Sequence, residues 1–102
     1  MAYGYIGSMK TQPGKRDEVV AILLSGAASL EALGCRSYLV GLDIEDPDTM
    51  VVTEVWESKE RHDASLQLPE AKEAIASAMP MLTGEFTSRE LVVVGGLGDN
   101  DE

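Results

Sequence analysis

The chain is short of most features that would name a function outright. Its 102 residues hold one cysteine, Cys35, one histidine, His62, one tryptophan, Trp56, and one phenylalanine, Phe86. A single cysteine excludes an internal disulfide and fits a reducing compartment. One cysteine and one histidine cannot make the clustered thiolate and imidazole set of a zinc site, so no metal is expected. No apolar run approaches the roughly 20 residues of a membrane-spanning helix. The opening residues MAYGYIGSMK lack a basic start followed by an apolar stretch, so no secretory signal is read and a cytoplasmic protein is expected. Basic residues are also scarce, 8 against 18 acidic ones, for a net charge of −10. Such a field repels phosphate backbones and anionic lipid, which argues against nucleic-acid and membrane partners.

What is present suffices for one domain with a modest core. Residues 1–96 are read as that domain and residues 97–102 as an acidic, flexible tail. Ala2 to Lys10 reads as a first strand, with Tyr3, Tyr5, Gly7 and Met9 on one face and Ile6 and Ser8 on the other. Its glycines suggest a bulge or a close backbone approach. After Thr11-Gln12-Pro13-Gly14, a helix is expected from about Lys15 to Leu33. Val19, Leu23, Ala27 and Leu30 form its buried stripe, and Val20, Leu24 and Leu33 widen it. Gly26 is its one poor helix former, and Gly34 is its expected terminator.

Cys35 to Leu42 is a second strand and Thr49 to Glu57 a third, joined antiparallel by the acidic turn around Pro47. The third strand has apolar residues on both faces, which predicts cover on both. Ser58 is a candidate N-cap for a helix to about Leu66. Pro69 restarts the helix and Pro80 stops it. A last strand follows from about Gly84 to Val94. The order β-α-β-β-α-β is the ferredoxin-like arrangement, an α+β fold with a four-stranded antiparallel sheet and its helices on one face. A chain with no spare element must cover the bare face with a second copy, so a homodimer packed sheet to sheet is expected.

The stretch TMVVTEVWESKERH, residues 49–62, brings the only tryptophan and the only histidine to a strand end and the helix after it. Trp56 offers an aromatic platform and His62 a side chain that titrates near neutrality. Glu54 shares the face of Trp56, and an inward carboxylate needs a partner; Arg36 or Arg89 could supply one structurally. The bland readings are that Trp56 is core, that His62 caps or decorates a helix, that Tyr38 and Tyr5 pack in the sheet, and that Cys35 is structural.

The segment LGCRSYLVGLDIEDPDTMVVTEVWESKERHDASLQLPEAKEAI resembles the antibiotic biosynthesis monooxygenase family and its quinol monooxygenases. The likeness rests on Gly34-Cys35, Tyr38, Asp46-Pro47-Asp48, Glu54-x-Trp56, Glu57-Ser58, His62 and the helix end from Ile75 to Pro80. It implies a dimeric α+β barrel of ferredoxin-like subunits with an apolar pocket between helices and sheet. Family members include oxygenases that act on hydroquinones or polycyclic phenols without metal or flavin, haem-degrading proteins, and isomerases. His62 stands about one helical turn nearer the tryptophan than the histidine of many members. Val52 stands where the polycyclic-phenol oxygenases carry asparagine. The second tryptophan and the first-strand asparagine of the haem-degrading members are missing.

The expected function is a cofactor-independent monooxygenase that oxidises a quinol or related phenol with O2. Its candidate catalytic residues are His62 and Glu54. Trp56 and Tyr38 would bind substrate beside apolar walls from Leu66, Met79, Met81 and Phe86. Two alternatives are an isomerase moving protons on a small carbonyl compound, and a non-catalytic dimeric module that holds a hydrophobic ligand.

Overall fold

The computed structural model describes residues 1–97, so all but Leu97 of the expected acidic tail lies outside the described residues. The elements are β1 (Ala2–Thr11), α1 (Arg16–Ser25), a 3-10 segment (Ala27–Leu33), β2 (Cys35–Leu42), β3 (Thr49–Trp56), α2 (Lys59–Ser65), α3 (Pro69–Ala78), a 3-10 turn (Met79–Met81) and β4 (Leu82–Val93). The strands form one antiparallel sheet in the order β2-β3-β1-β4. This is the ferredoxin-like α+β fold.

The long helix expected up to Leu33 is two pieces. Gly26 ends α1, and the chain tightens into a 3-10 segment before Gly34 closes it in the left-handed conformation, with φ 106°. Gly34 suits that position because it has no Cβ to clash. Leu24, in the last turn before the break, is half exposed, while Leu30 and Leu33 pack against the cluster of Tyr3, Cys35 and Trp56. Both later helices start as their sequences dictate. The Ser58 side chain accepts the Arg61 backbone N–H at 3.1 Å, and Pro69 occupies the first turn of α3.

Strand register decides which side chains meet. Tyr3 lies opposite Trp56, Tyr5 opposite Glu54, Gly7 opposite Val52 and Met9 opposite Met50. On the other side of β3, Tyr38 lies opposite Glu54 and Val40 opposite Val52. All of these share the helix-facing side, because alternate residues of a strand point the same way. Two core clusters form there. One joins Tyr3, Cys35 and Trp56; the other joins Val19, Met50 and Ala78. Between them lies Glu54.

The opposite face carries Ile6, Leu39, Val51, Val55, Leu91 and Val93, and among the described residues no helix covers it. Leu39 is 64% exposed and Leu91 40%. Gly4 sits on this face where a Cβ would stand 2.9 Å from a Val93 methyl, so the β1–β4 ladder closes only over a bare backbone.

The β2–β3 turn is fixed from below. The Arg16 guanidinium donates to the carbonyls of Asp43, Asp46 and Thr49 at 3.0–3.2 Å. Asp43 and Asp46 carboxylates accept the turn's own amides. These acids therefore build the loop, which accounts for part of the chain's negative charge.

Candidate functional site

Glu54 occupies the middle of β3, a central strand, and points under the helices. Its side chain is 12% exposed. Its Oε1 accepts the indole N–H of Trp56 at 2.8 Å and stands 4.0 Å from His62 Nε2. Burial pushes the Glu54 carboxyl above its usual range, while the Trp56 N–H and the nearby imidazole act the other way. The result is a carboxylate held near, but not surrounded by, polar partners. Arg89, considered as its structural partner, pairs with Ile6 on the opposite face of the sheet.

His62 comes from the second turn of α2, and Ser58 sets where that helix begins. The imidazole is 8% exposed and sits in a cage of rings. Tyr5 stacks on it at 5.1 Å, Tyr3 tilts against it at 5.2 Å, and Trp56 meets it edge-on at 5.7 Å. Its Nδ1 lies 3.0 Å from Asp63 Oδ1. Nε2 faces Glu54 on the other side of the ring; a carboxylate only accepts, so a hydrogen on Nδ1 donates to Asp63.

A cavity of about 290 Å³ opens beside this pair, between the sheet and the helices, with mostly apolar walls. Tyr5, Tyr38, Val52, Glu54, Leu66 and Phe86 are among its lining residues. Glu54 is thus the acid–base group on the wall, and His62 stands behind it. The Tyr38 hydroxyl is pushed up to about 12, first by burial and then by the Glu54 and Cys35 charges. It stays protonated at neutral pH and can only donate or accept a hydrogen bond. Gly7 has a specific use here. A Cβ on it would lie 2.9 Å from a Tyr5 ring carbon, so the missing side chain lets Tyr5 lie flat along β1 and reach His62.

The remaining candidates fall elsewhere. Trp56, 1% exposed, is fully buried, off the cavity wall, and acts on Glu54 through its N–H. Met81 packs against the Val19–Met50–Ala78 cluster, and Met79 is 52% exposed after α3. From the sequence Tyr5 reads as sheet packing and Tyr3 only as a residue on the same strand face. The pattern Tyr5-x-Gly7 on one strand face was the available signal, since a glycine at i+2 leaves room for a ring to lie down.

A larger hollow, about 480 Å³, is bounded by Ser8, Lys10, Asp46 and Glu85. It is an open groove whose charged ends are already tied in the Lys10–Asp46 pair at 3.3 Å, and it holds no acid–base couple. Among the described residues no three His, Cys, Asp or Glu side chains gather as a metal site would require.

The sequence profile for antibiotic biosynthesis monooxygenases matches residues 2–77. A structure from Chloroflexus aurantiacus J-10-fl, assigned to that group, is 47% identical over 94% of this chain and 96% of its own, with a TM-score of 0.84. Structures from Caulobacter crescentus CB15 (24% identity, 92% and 91% covered, TM-score 0.84) and Deinococcus radiodurans (20%, 93% and 95%, TM-score 0.79) share the fold. No curated protein matches the chain.

Proposed function

The chain belongs to the antibiotic biosynthesis monooxygenase family, and from that premise we propose that it oxidises a quinol or related phenolic small molecule with O2, using no cofactor. The observation that carries this reading is Glu54 on the wall of a mostly apolar cavity of about 290 Å³, with His62 4.0 Å behind it.

Ionisation of the substrate is the step a protein can most help. Glu54, its proton affinity raised by burial, takes the phenolic proton, and the imidazole 4.0 Å behind it shares the charge. The electron-rich phenolate then reduces O2. A carbon–oxygen bond forms at the ring to give a hydroperoxide. The O–O bond breaks with loss of water, leaving the second oxygen on the ring as a carbonyl. That water carries two protons, equal in number to the hydrogens the substrate loses, so the substrate supplies every electron. Tyr38 donates to the developing carbonyl oxygen. Tyr5, Leu66 and Phe86 hold the ring and exclude water.

The working unit in this reading is a homodimer, with a second copy covering Ile6, Leu39 and Leu91 on the bare sheet face. The same acid–base couple would also serve an isomerase that moves a proton beside a carbonyl. The test is O2 uptake by metal-free, flavin-free protein offered naphthohydroquinols and anthrone-like phenols. Uptake above the spontaneous rate, lost in His62→Ala, is expected. Turnover that persists without O2 would transfer the site to the isomerase reading.

A further inference from the structure

His62 Nδ1 points away from Glu54, at a carboxylate that the proposed reaction does not use. Asp63 Oδ1 holds that nitrogen at 3.0 Å. The other Asp63 oxygen lies 3.5 Å from Lys59 Nζ, one helical turn back. Lys59 reaches across to β4 and meets Glu90 Oε2 at 2.7 Å, and the same oxygen accepts the Tyr3 hydroxyl at 2.9 Å. The His62 ring is thus faced by Tyr3 and Tyr5 from β1, Glu54 and Trp56 from β3, and Asp63 from its own helix. Lys59 and Glu90 stand in the next layer. Asp63 is half exposed, whereas His62 and Glu54 are nearly closed off from water.

We propose that Asp63 is a positioning residue and proton outlet: it fixes His62 as the Nδ1–H tautomer, aims Nε2 at Glu54, and passes to solvent the proton that leaves the cavity. The proposal rests on the monooxygenase reading for its second half only. The steps balance as proton transfers. Glu54 receives the phenolic proton and gives it to Nε2; His62 releases its Nδ1 proton to Asp63, and Asp63 releases it to water, while one proton taken back from water as the peroxide oxygen leaves closes the count. The ring ends with its proton on Nε2 and must return it to Nδ1 by exchange through solvent or by a ring flip. The 4.0 Å gap to Glu54 is of the kind that tightens to hydrogen-bond length when a site fills. Asp63 is kept ionised for this role, first by the His62 hydrogen bond and then by Lys59, which hold its carboxyl below the usual range.

One histidine in the chain makes the test direct. The imidazole tautomer is read by long-range 1H–15N correlation spectra of the free protein, with no substrate needed. Wild type should show protonated Nδ1 and bare Nε2 at pH 8. Asp63→Asn keeps an accepting oxygen and should keep that tautomer; Asp63→Ala should lose at least fivefold of its excess over the other form. Lys59→Met, which leaves the His62–Asp63 contact alone, should keep it too. In turnover, Asp63→Asn and Asp63→Ala should both lower kcat about tenfold with KM nearly unchanged, since neither passes a proton. A protonated Nε2 in wild type, or the same tautomer ratio in Asp63→Ala, overturns the positioning role whatever the reaction is. A correct tautomer with unaltered kcat in Asp63→Asn overturns the outlet.

Discussion

Replacing Trp56 with phenylalanine removes one N–H donor and keeps most of a buried ring. That indole N–H lies 2.8 Å from Glu54 Oε1, in a place where Glu54 is only 12% exposed and water cannot easily substitute. A hydrogen bond to a charged group contributes about 1.5–3 kcal/mol and one to a neutral group about 0.5–1.5 kcal/mol. The loss therefore falls on the ionised form by a margin of about 1–2 kcal/mol, or about 5- to 30-fold in proton affinity at 1.36 kcal/mol per factor of ten. The direction follows from the structure, because the Trp56 bond is what opposes the upward push of burial. The variant should hold the Glu54 proton to higher pH, as read from the 13C shift of its labelled carboxyl. Stability should agree. A folded pKa above the unfolded one means that stability falls as pH rises through the window between them, and the variant widens that window upward. Its urea-unfolding deficit should be larger at pH 8 than at pH 5 by up to about 1–2 kcal/mol. A Glu54 titration that moves less than twofold in proton affinity would refute the reasoning and leave Trp56 as a packing residue.

Three further outcomes follow from the same contacts. Glu54→Gln keeps an oxygen for the Trp56 N–H but cannot ionise, so it should melt higher than wild type at pH 8 and lose that advantage at pH 5, as calorimetry would show. Gly7→Ala places a methyl 2.9 Å from the Tyr5 ring; the ring must swing off His62, costing about 0.5–1.5 kcal/mol as a displaced rotamer, and the crystal structure of the variant should show a reshaped cavity. Leu39→Lys, at a position 64% exposed in the single chain, should halve the mass seen by analytical ultracentrifugation if the bare sheet face is the dimer contact.

The strands were legible because their side chains alternate cleanly. Met50, Val52, Glu54 and Trp56 on one face of β3, and Tyr3, Tyr5, Gly7 and Met9 on one face of β1, are a period-2 pattern that survives any packing. Helix caps at Ser58, Pro69 and Gly34 were legible for equally local reasons. The split of α1 at Gly26 was not, since a glycine inside a helix costs only about 1 kcal/mol and tertiary contacts decide whether the helix continues. The site was half legible. Glu54 and His62 stood out as an inward acid and a lone imidazole, but which face of α2 His62 would take depends on how α2 sits on the sheet. Trp56 reads from the sequence as either an aromatic platform or a core residue, since a strand end allows both. The structure shows it buried and turned onto Glu54, with Tyr5, Tyr38 and Phe86 as the rings on the cavity wall.

The central claim is that Glu54 takes the substrate's proton, and Glu54→Gln tests it most directly because the substitution keeps the shape and the Trp56 contact. With the best quinol found by O2 uptake, the account predicts that kcat falls by about 10² to 10⁴ while the affinity for a non-reactive quinone, measured by fluorescence quenching, changes less than threefold. A variant that consumes O2 within threefold of wild type would contradict it.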